Sequence, residues 1–302
     1  MNILVSGSHG LIGSAAIPFF RSQGYRVVRL VRSASASGAD EIGWDPAAGV
    51  LDRAGLEGLD GVVHLAGESL AGGKWTPEKK ARIRQSRIQG SRLLCEALAD
   101  LAQPPQTLIC ASAVGYYGSR GEEWVDESSP AGQGFLAEVC REWEAATAPA
   151  VQRGIRVINL RFGMVLSAAG GSLAMMLPAF RKGMGAVLGR GQQWMSWITL
   201  DDVVGVLHHA LLTTSLRGPV NAVTPHPVTN REFTHTLGKV LGRPTFLTLP
   251  AFAVRLIFGE MAEELLLAST RVAPARLRET GYPYRFPRLE EALQHLLSPA
   301  KG

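Results

Sequence analysis

The first residues whose types and spacing suit chemistry are Gly7-Ser8-His9-Gly10-Leu11-Ile12-Gly13. In a loop that leaves a strand and opens a helix, glycines at this spacing have separate tasks. The first allows the tight turn, the second lets backbone approach a pyrophosphate, and the third lets helix and sheet pack closely. The phosphates then meet the helix N-terminus, where free N–H groups and the dipole favour negative charge. The chemistry on offer is the binding of a dinucleotide. Its identity turns on the end of the next strand, Leu30-Val31-Arg32-Ser33. NAD-binding forms place an acid about 20 residues beyond the loop to hold the ribose 2′-hydroxyl. No acid stands here; Arg32 does, and a guanidinium suits a 2′-phosphate through charge-assisted hydrogen bonds. The cofactor expected is NADP(H), with Ser33 and His9 adding contacts and Asp45 on the adenine side. The plainer alternatives are that Arg32 and Asp45 are ordinary surface charges.

Such a loop needs a strand before it and a helix after it. Asn2 to Ser6 is a short apolar run, Leu11 to Gln23 has helical spacing with Gly24 as its C-cap, and Arg26 to Val31 is a second strand. Strand, turn, helix and strand in about thirty residues make one βαβ unit. Gly61 to Leu65, Thr107 to Ala111 and Ile155 to Leu160 read as buried strands, Glu78 to Leu101 and Phe135 to Arg153 as helices. This alternation predicts an α/β fold: a Rossmann-type doubly wound parallel sheet covered on both faces. We assign it to residues 1–165, with room for later strands to return to its sheet. A smaller C-terminal α/β substrate-side domain takes 166–302, glycine-rich at first and helical from about Pro250.

Composition narrows the function. Of 302 residues, 46% are hydrophobic and 19% charged, which supports a sizeable core and excludes disorder. A net charge of +5 without a run of five Lys or Arg argues against nucleic acid as a partner. The sparse, odd set Cys95, Cys110 and Cys140 fits a reducing compartment. No signal-peptide pattern opens the chain, and no apolar stretch reaches the roughly 18 residues a membrane helix needs. A soluble, cytoplasmic protein with a small-molecule substrate is expected, with no membrane partner. His208 and His209 are adjacent on a helix and face different directions, and no zinc spacing occurs elsewhere, so no metal is expected.

Several segments resemble the extended short-chain dehydrogenase/reductase superfamily. His64-Leu65-Ala66-Gly67 resembles its fourth-strand motif, Tyr116-Tyr117-Gly118 its Ser-rich strand ending in Tyr-Gly, and Ile198 to Val203 a segment that opens a C-terminal helix. A narrower resemblance covers nearly the whole chain. Leu65-Ala66-Gly67-Glu68, Lys74-Trp75, Ser86-Arg87, Ser112 to Gly118, Phe135-Leu136-Ala137, Trp143-Glu144, Arg161-Phe162-Gly163 and Gly281-Tyr282 are similar to an atypical NAD(P)-dependent epimerase/dehydratase subfamily. Its members carry a C-terminal domain of unknown function, here about Pro250 to Leu297. The resemblance implies NADP binding, with Leu65, Ala66 and Gly67 joining the cofactor site, and a possible homodimer. It does not bring an established reaction.

The chain departs from the superfamily where proton transfer is done. The superfamily uses Tyr-x-x-x-Lys, in which the lysine lowers the tyrosine pKa and holds the ribose. None of Tyr25, Tyr116, Tyr117, Tyr282 and Tyr284 is followed by Lys four residues later. By alignment the Tyr place falls at Leu136 and the Lys place at Cys140. Arg87 replaces an Asn often found on the preceding helix, where it can hold cofactor phosphate or an anionic substrate. Three residues are left as catalytic candidates: Ser112 near the superfamily's serine, Tyr117 at the same strand end, and Glu68 as an acid/base whose pKa burial would raise. Tyr116, Arg161, Trp194 and Trp197 are the substrate candidates. Each has a packing role as its alternative. A regulatory protein that binds NADP(H) without catalysis is the competing function.

Overall fold

The computed structural model describes residues 1–32, 38, 40–71 and 74–298; Ser33 lies outside the described residues. The first half runs β1 (Asn2–Ser6), α1 (Leu11–Ser22), β2 (Arg26–Val31), β3 (Glu41–Asp45), β4 (Val50–Leu51), β5 (Gly61–His64), α2 (Pro77–Ala99), β6 (Thr107–Ala113), β7 (Trp124–Val125), α3 (Phe135–Ala145), α4 (Ala148–Gln152) and β8 (Arg156–Phe162). The second half runs β9 (Met164–Leu166), α5 (Gly171–Arg181), β10 (Ala186–Leu188), β11 (Trp194–Met195), β12 (Trp197–Thr199), α6 (Leu200–Leu212), β13 (Gly218–Ala222), β14 (Val228–Thr229), α7 (Asn230–Leu241), β15 (Leu247–Leu249) and α8 (Ala251–Phe258). A π-helical turn, Ala262–Leu266, then leads to β16 (Arg271–Val272), α9 (Ala275–Glu279) and α10 (Leu289–Leu297).

Eight strands form one sheet in the order β13-β8-β6-β5-β1-β2-β3-β4. Every pairing in it is parallel except that of β3 with β4. Alternating strand residues enter two different cores. Ile3, Val5, Val63, Ile109 and Ile158 pack with α1 and α6 through Phe20, Val203 and Leu207. Leu4, Val62, Leu108 and Val157 pack on the other face with α2 through Leu94 and Leu98. This is the doubly wound arrangement, and it explains why the strands read as unbroken apolar runs. Strand β13 returns to the sheet beside β8, so one sheet draws on both halves of the chain.

The helix expected over 135–153 is two helices. Pro149 lies in the first turn of α4, where its missing N–H costs nothing; continued in α3 it would leave the Ala145 carbonyl without a donor. A third core, around Trp197, joins α5, α7 and α10 through Leu173, Leu177, Phe233, Leu237 and Leu293. Asp202 ties the C-terminal segment to α6. It is 1% exposed, and its carboxylate accepts from Thr199 Oγ1, Tyr282 Oη and the backbone N–H groups of Arg285 and Phe286. Among the described residues no helix is long and apolar enough to cross a membrane.

Candidate cofactor cleft and the sealed end of β6

The chain order reverses between β1 and β5: β1 is followed by β2 on one side, while β5 leads to β6 and β8 on the other. In parallel α/β sheets the crevice above such a reversal, outside the carboxyl ends of the strands, takes the ligand. The glycine loop lies there. Gly7 has φ +66°, and a Cβ on it would stand 2.8 Å from the Leu65 carbonyl carbon. A Cβ on Gly13 would stand 2.3 Å from the Gly7 oxygen. The loop turns on a Gly10 N–H to Gly7 O bond of 2.9 Å. Helix α1 then begins with no side-chain cap and no acid in its first turn, so its leading N–H groups are left for a ligand. Its Leu11 side chain lies against Gly170 and Gly171 at the start of α5, and Ile12 packs into the core. His9 is exposed, 3.3 Å from Ser8 Oγ through Nδ1.

A buried pair behind the loop fixes its shape. Ser6 Oγ accepts from the backbone N–H of Leu65 and Ala66, at 3.0 and 3.2 Å, and donates to His64 Nδ1 at 2.7 Å. His64 is therefore neutral with its proton on Nε2, a buried atom without a partner, and its ring stands edge-on to Trp44. Burial pushes its pKa down to about 4. Neither residue's role was visible in the sequence, because a Ser in an apolar strand carries no local signal.

Arg32 is exposed just beyond β2, and its charge reaches Glu68 beyond β5, so both border the mouth of the loop. Asp45 turns inward on its own backbone, accepting from Ala47 and Ala48 N–H, as a turn-forming acid does. Gly67 is exposed and faces the Arg87 guanidinium, which a Cβ would meet at 3.5 Å. Arg87 donates from Nη1 to the carbonyls of Glu68 and Ile83, and sits 5.1 Å from the Trp143 ring centre. Burial lowers its pKa from the ordinary arginine value.

Glu68, expected as an acid/base with a raised pKa, is held the other way in the free protein. Its carboxylate bonds Lys79 Nζ at 2.7 Å, and that bond holds its pKa below the usual glutamate value. Burial acts in the other direction and loses. Lys79, on the first turn of α2, was missed because lysines there are usually solvated.

The end of β6 differs from expectation more deeply. Ser112 is 3% exposed and donates to Glu144 Oε1 at 2.7 Å. Glu144 is also gripped by Arg161, through Nε at 2.7 Å and Nη2 at 2.8 Å. Arg161 Nη1 donates to Tyr117 Oη, which donates in turn to Asn221 Oδ1 at 2.8 Å. Tyr117 is fully buried, and burial pushes its phenol up to about 12. Burial also opposes the charge on Arg161, but Glu144 and Tyr117 overcome it and raise its pKa. Ser112, Tyr117 and Arg161 are thus tied into one internal network with Glu144 and Asn221. Trp197 is held inside as well. It is fully buried in the third core, with Nε1 on the His226 carbonyl.

Tyr116 is half-buried and lays its ring 3.4 Å from the Arg161 guanidinium carbon. Trp194 is half-buried beside Arg271. The expected places of the superfamily's pair do face this region. Leu136 and Cys140 pack under Gly115, just past β6, and burial pushes the Cys140 thiol up to about 12. Helix α3, which carries them, is capped from the far end of the chain: Glu264 accepts from Phe135 and Leu136 N–H, both at 3.1 Å. Gly134, at φ +106°, permits that approach, since a Cβ there would stand 2.6 Å from Glu264 Oε1. A groove of about 560 Å³ also lies between α1 and α6, lined by Phe19, His208, His209 and Tyr282, away from the glycine loop.

Comparison with known proteins agrees with this geometry. Residues 3–222 match the profile of the NAD dependent epimerase/dehydratase family. The chain belongs to that family. Within this epimerase/dehydratase family it shares further features with a smaller group. Residues 249–296 match a domain of unknown function, DUF1731. The "Epimerase family protein Mb2239" of Mycobacterium bovis is 46% identical over 291 residues, 96% of each chain. The "Epimerase family protein SDR39U1" of Homo sapiens is 35% identical over 301 residues, covering 99% of this chain and all of that one. A crystal structure of the human protein with NADPH superposes with a TM-score of 0.89 at 34% identity, covering 98% of this chain and 99% of that one. The chain is thus an atypical extended member of the short-chain dehydrogenase/reductase superfamily, as its motifs implied. A Thermus thermophilus UDP-glucose 4-epimerase at 21% identity, TM-score 0.76, shares the fold.

Proposed function

We propose that this chain binds NADP(H) in the crevice between β1 and β5 and acts as an oxidoreductase or epimerase on a small carbonyl or sugar-type substrate. The observation that carries the reading is the uncapped, glycine-rich loop at the strand-order reversal, with Arg32 in place of an acid. A relative of 34% identity with NADPH supports the same cofactor. The leading N–H groups of α1 would hold the pyrophosphate, Arg32 the 2′-phosphate, and the Leu65–Gly67 backbone the adjoining ribose. Bound NADPH supplies a hydride. Arg87, beside Gly67 and above Cys140, would supply the fixed positive charge that the Lys place lacks. The proton would come from outside the sealed network, with the half-buried Tyr116 as the candidate hydroxyl.

The test is a single-turnover assay with NADPH deuterated at C4 and a panel of aldehydes, ketones and nucleotide sugars. Deuterium in any product at a competent rate supports the reading. Tight NADPH binding with no transfer to any compound favours the second reading, a regulatory protein that senses NADP(H). That alternative draws on one observation, the closure of Ser112 and Tyr117 into internal bonds.

A further inference from the structure

We infer that Arg271 is the receptor for an oxyanion on the substrate, a carboxylate or a phosphate. This rests on the enzymatic reading above and names the class of substrate it would take. Arg271 lies on β16, in register with Trp124 of β7. Its guanidinium carbon stands 4.2 Å from the Trp124 ring centre and 3.8 Å from that of Trp194. Two indoles therefore hold one cation between them. Arg120, Arg161, Arg255 and Arg285 each pair with a carboxylate. Arg271 pairs with none among the described residues, and its Nε is buried without an acceptor. An unpaired, partly desolvated guanidinium is costly for a fold to keep. Trp124 adds to that cost, being 48% exposed.

The arrangement suits a ligand. Two rings this close to its central carbon leave a guanidinium mainly its edge for hydrogen bonds. The Nε side of that edge is buried, whereas neither Nη is among the buried unpartnered atoms, which leaves the two Nη groups for a ligand. That pair of parallel donors matches a carboxylate or phosphate, two bonds at once. The indoles also remove rotamer freedom in advance, so little is lost on binding. The position fits as well. Next to Arg271, Thr270 Oγ1 bonds the Gly118 carbonyl just past β6, and Val272 N–H bonds Ser196 Oγ. The Ser196 carbonyl in turn accepts from Met164, just past β8. The cation is therefore carried over the carboxyl ends of β6 and β8, the edge where parallel α/β sheets place their ligands.

The test uses the full chain saturated with NADPH and labelled with ¹⁵N. The indole N–H signals of Trp124 and Trp194 are assigned from W124F and W194F. Sodium acetate and inorganic phosphate are then titrated separately at constant ionic strength. Both signals should move together and saturate with at least one anion, phosphate alone indicating a phosphorylated substrate and acetate alone a carboxylate. R271Q should weaken the response at least tenfold, and R271K should retain a weaker one. No saturation with either anion, or an unchanged response in R271Q, overturns the inference. Amides of the glycine loop report NADPH in the same spectra, so failure of cofactor binding is read separately from failure of this site.

Discussion

The glycine loop and the end of β6 border one crevice, with β5 between their strands, and they treat their polar groups in opposite ways. The loop leaves N–H groups uncapped at the start of α1 and has no room for a side chain at Gly7 or Gly13. The β6 end spends its buried side-chain donors inward: Ser112 on Glu144, Tyr117 on Asn221, Arg161 on both Glu144 and Tyr117. A surface that must receive a ligand keeps unsatisfied groups, and a surface that must hold its shape has none. Residue type alone would have ranked the β6 end as the more reactive of the two.

Experiments can break this contrast, beginning with the loop. Gly13→Ala puts a methyl 2.3 Å from the Gly7 carbonyl oxygen. NADPH affinity should fall by about a hundredfold or more, roughly 3 kcal/mol, in a fluorescence titration with circular dichroism unchanged. An affinity within threefold of the wild type would mean that the loop does not carry the cofactor. At the β6 end the loss should be in stability. Glu144→Gln leaves Arg161, whose side chain is 3% exposed, without its counter-charge. Breaking a buried pair this way costs about 3–5 kcal/mol, readable by urea denaturation, and NADPH affinity should hold.

His64 gives the loop a pH signature. Its pKa is about 4 in the folded chain against 6.5 for the free side chain. The unfolded chain therefore binds the extra proton between those values. The stabilisation is complete above about pH 6.5 and is lost as pH falls towards 4, amounting to about 3 kcal/mol in all. His64→Gln should flatten that part of the stability curve; an unchanged slope would show that His64 titrates normally. Arg32→Ala should weaken NADPH about tenfold, roughly 1.4 kcal/mol, and leave NADH untouched. Equal losses for both nucleotides would remove Arg32 from the 2′-phosphate. The smallest effect sharpens the contrast further. Ser112→Ala should cost about 1 kcal/mol of stability, one hydrogen bond, and slow no turnover that the chain performs. A large drop in rate with little change in stability would put Ser112 back among the reacting groups.

What could be read in the sequence follows from range. The glycine loop is local, since its turn, its helix start and Arg32 all fall within the first βαβ unit. The alternation of apolar strands and helices is local too, so the parallel sheet was legible. The β6 network is not. Ser112 meets Glu144 from 32 residues away, and Tyr117 meets Asn221 from 104 away. A Ser and a Tyr at a strand end look alike in sequence whether they face a cleft or an inner partner. The two tryptophans differ for the same reason: Trp194 is half open and Trp197, three residues later, is not. The Glu68–Lys79 bond was not legible because Lys79 lies in the first turn of the next helix.

The cap that Glu264 places on α3 has a practical meaning for dissecting the protein. A chain cut after residue 222 would keep the whole main sheet yet leave the first turn of α3 without the acceptor of its Phe135 and Leu136 amides. The pieces on either side of that cut are therefore poor candidates for separate expression. Those same two amide protons make a native gauge: their exchange with solvent should quicken whenever the last fifty or so residues lift away, before any other part of the helix frays.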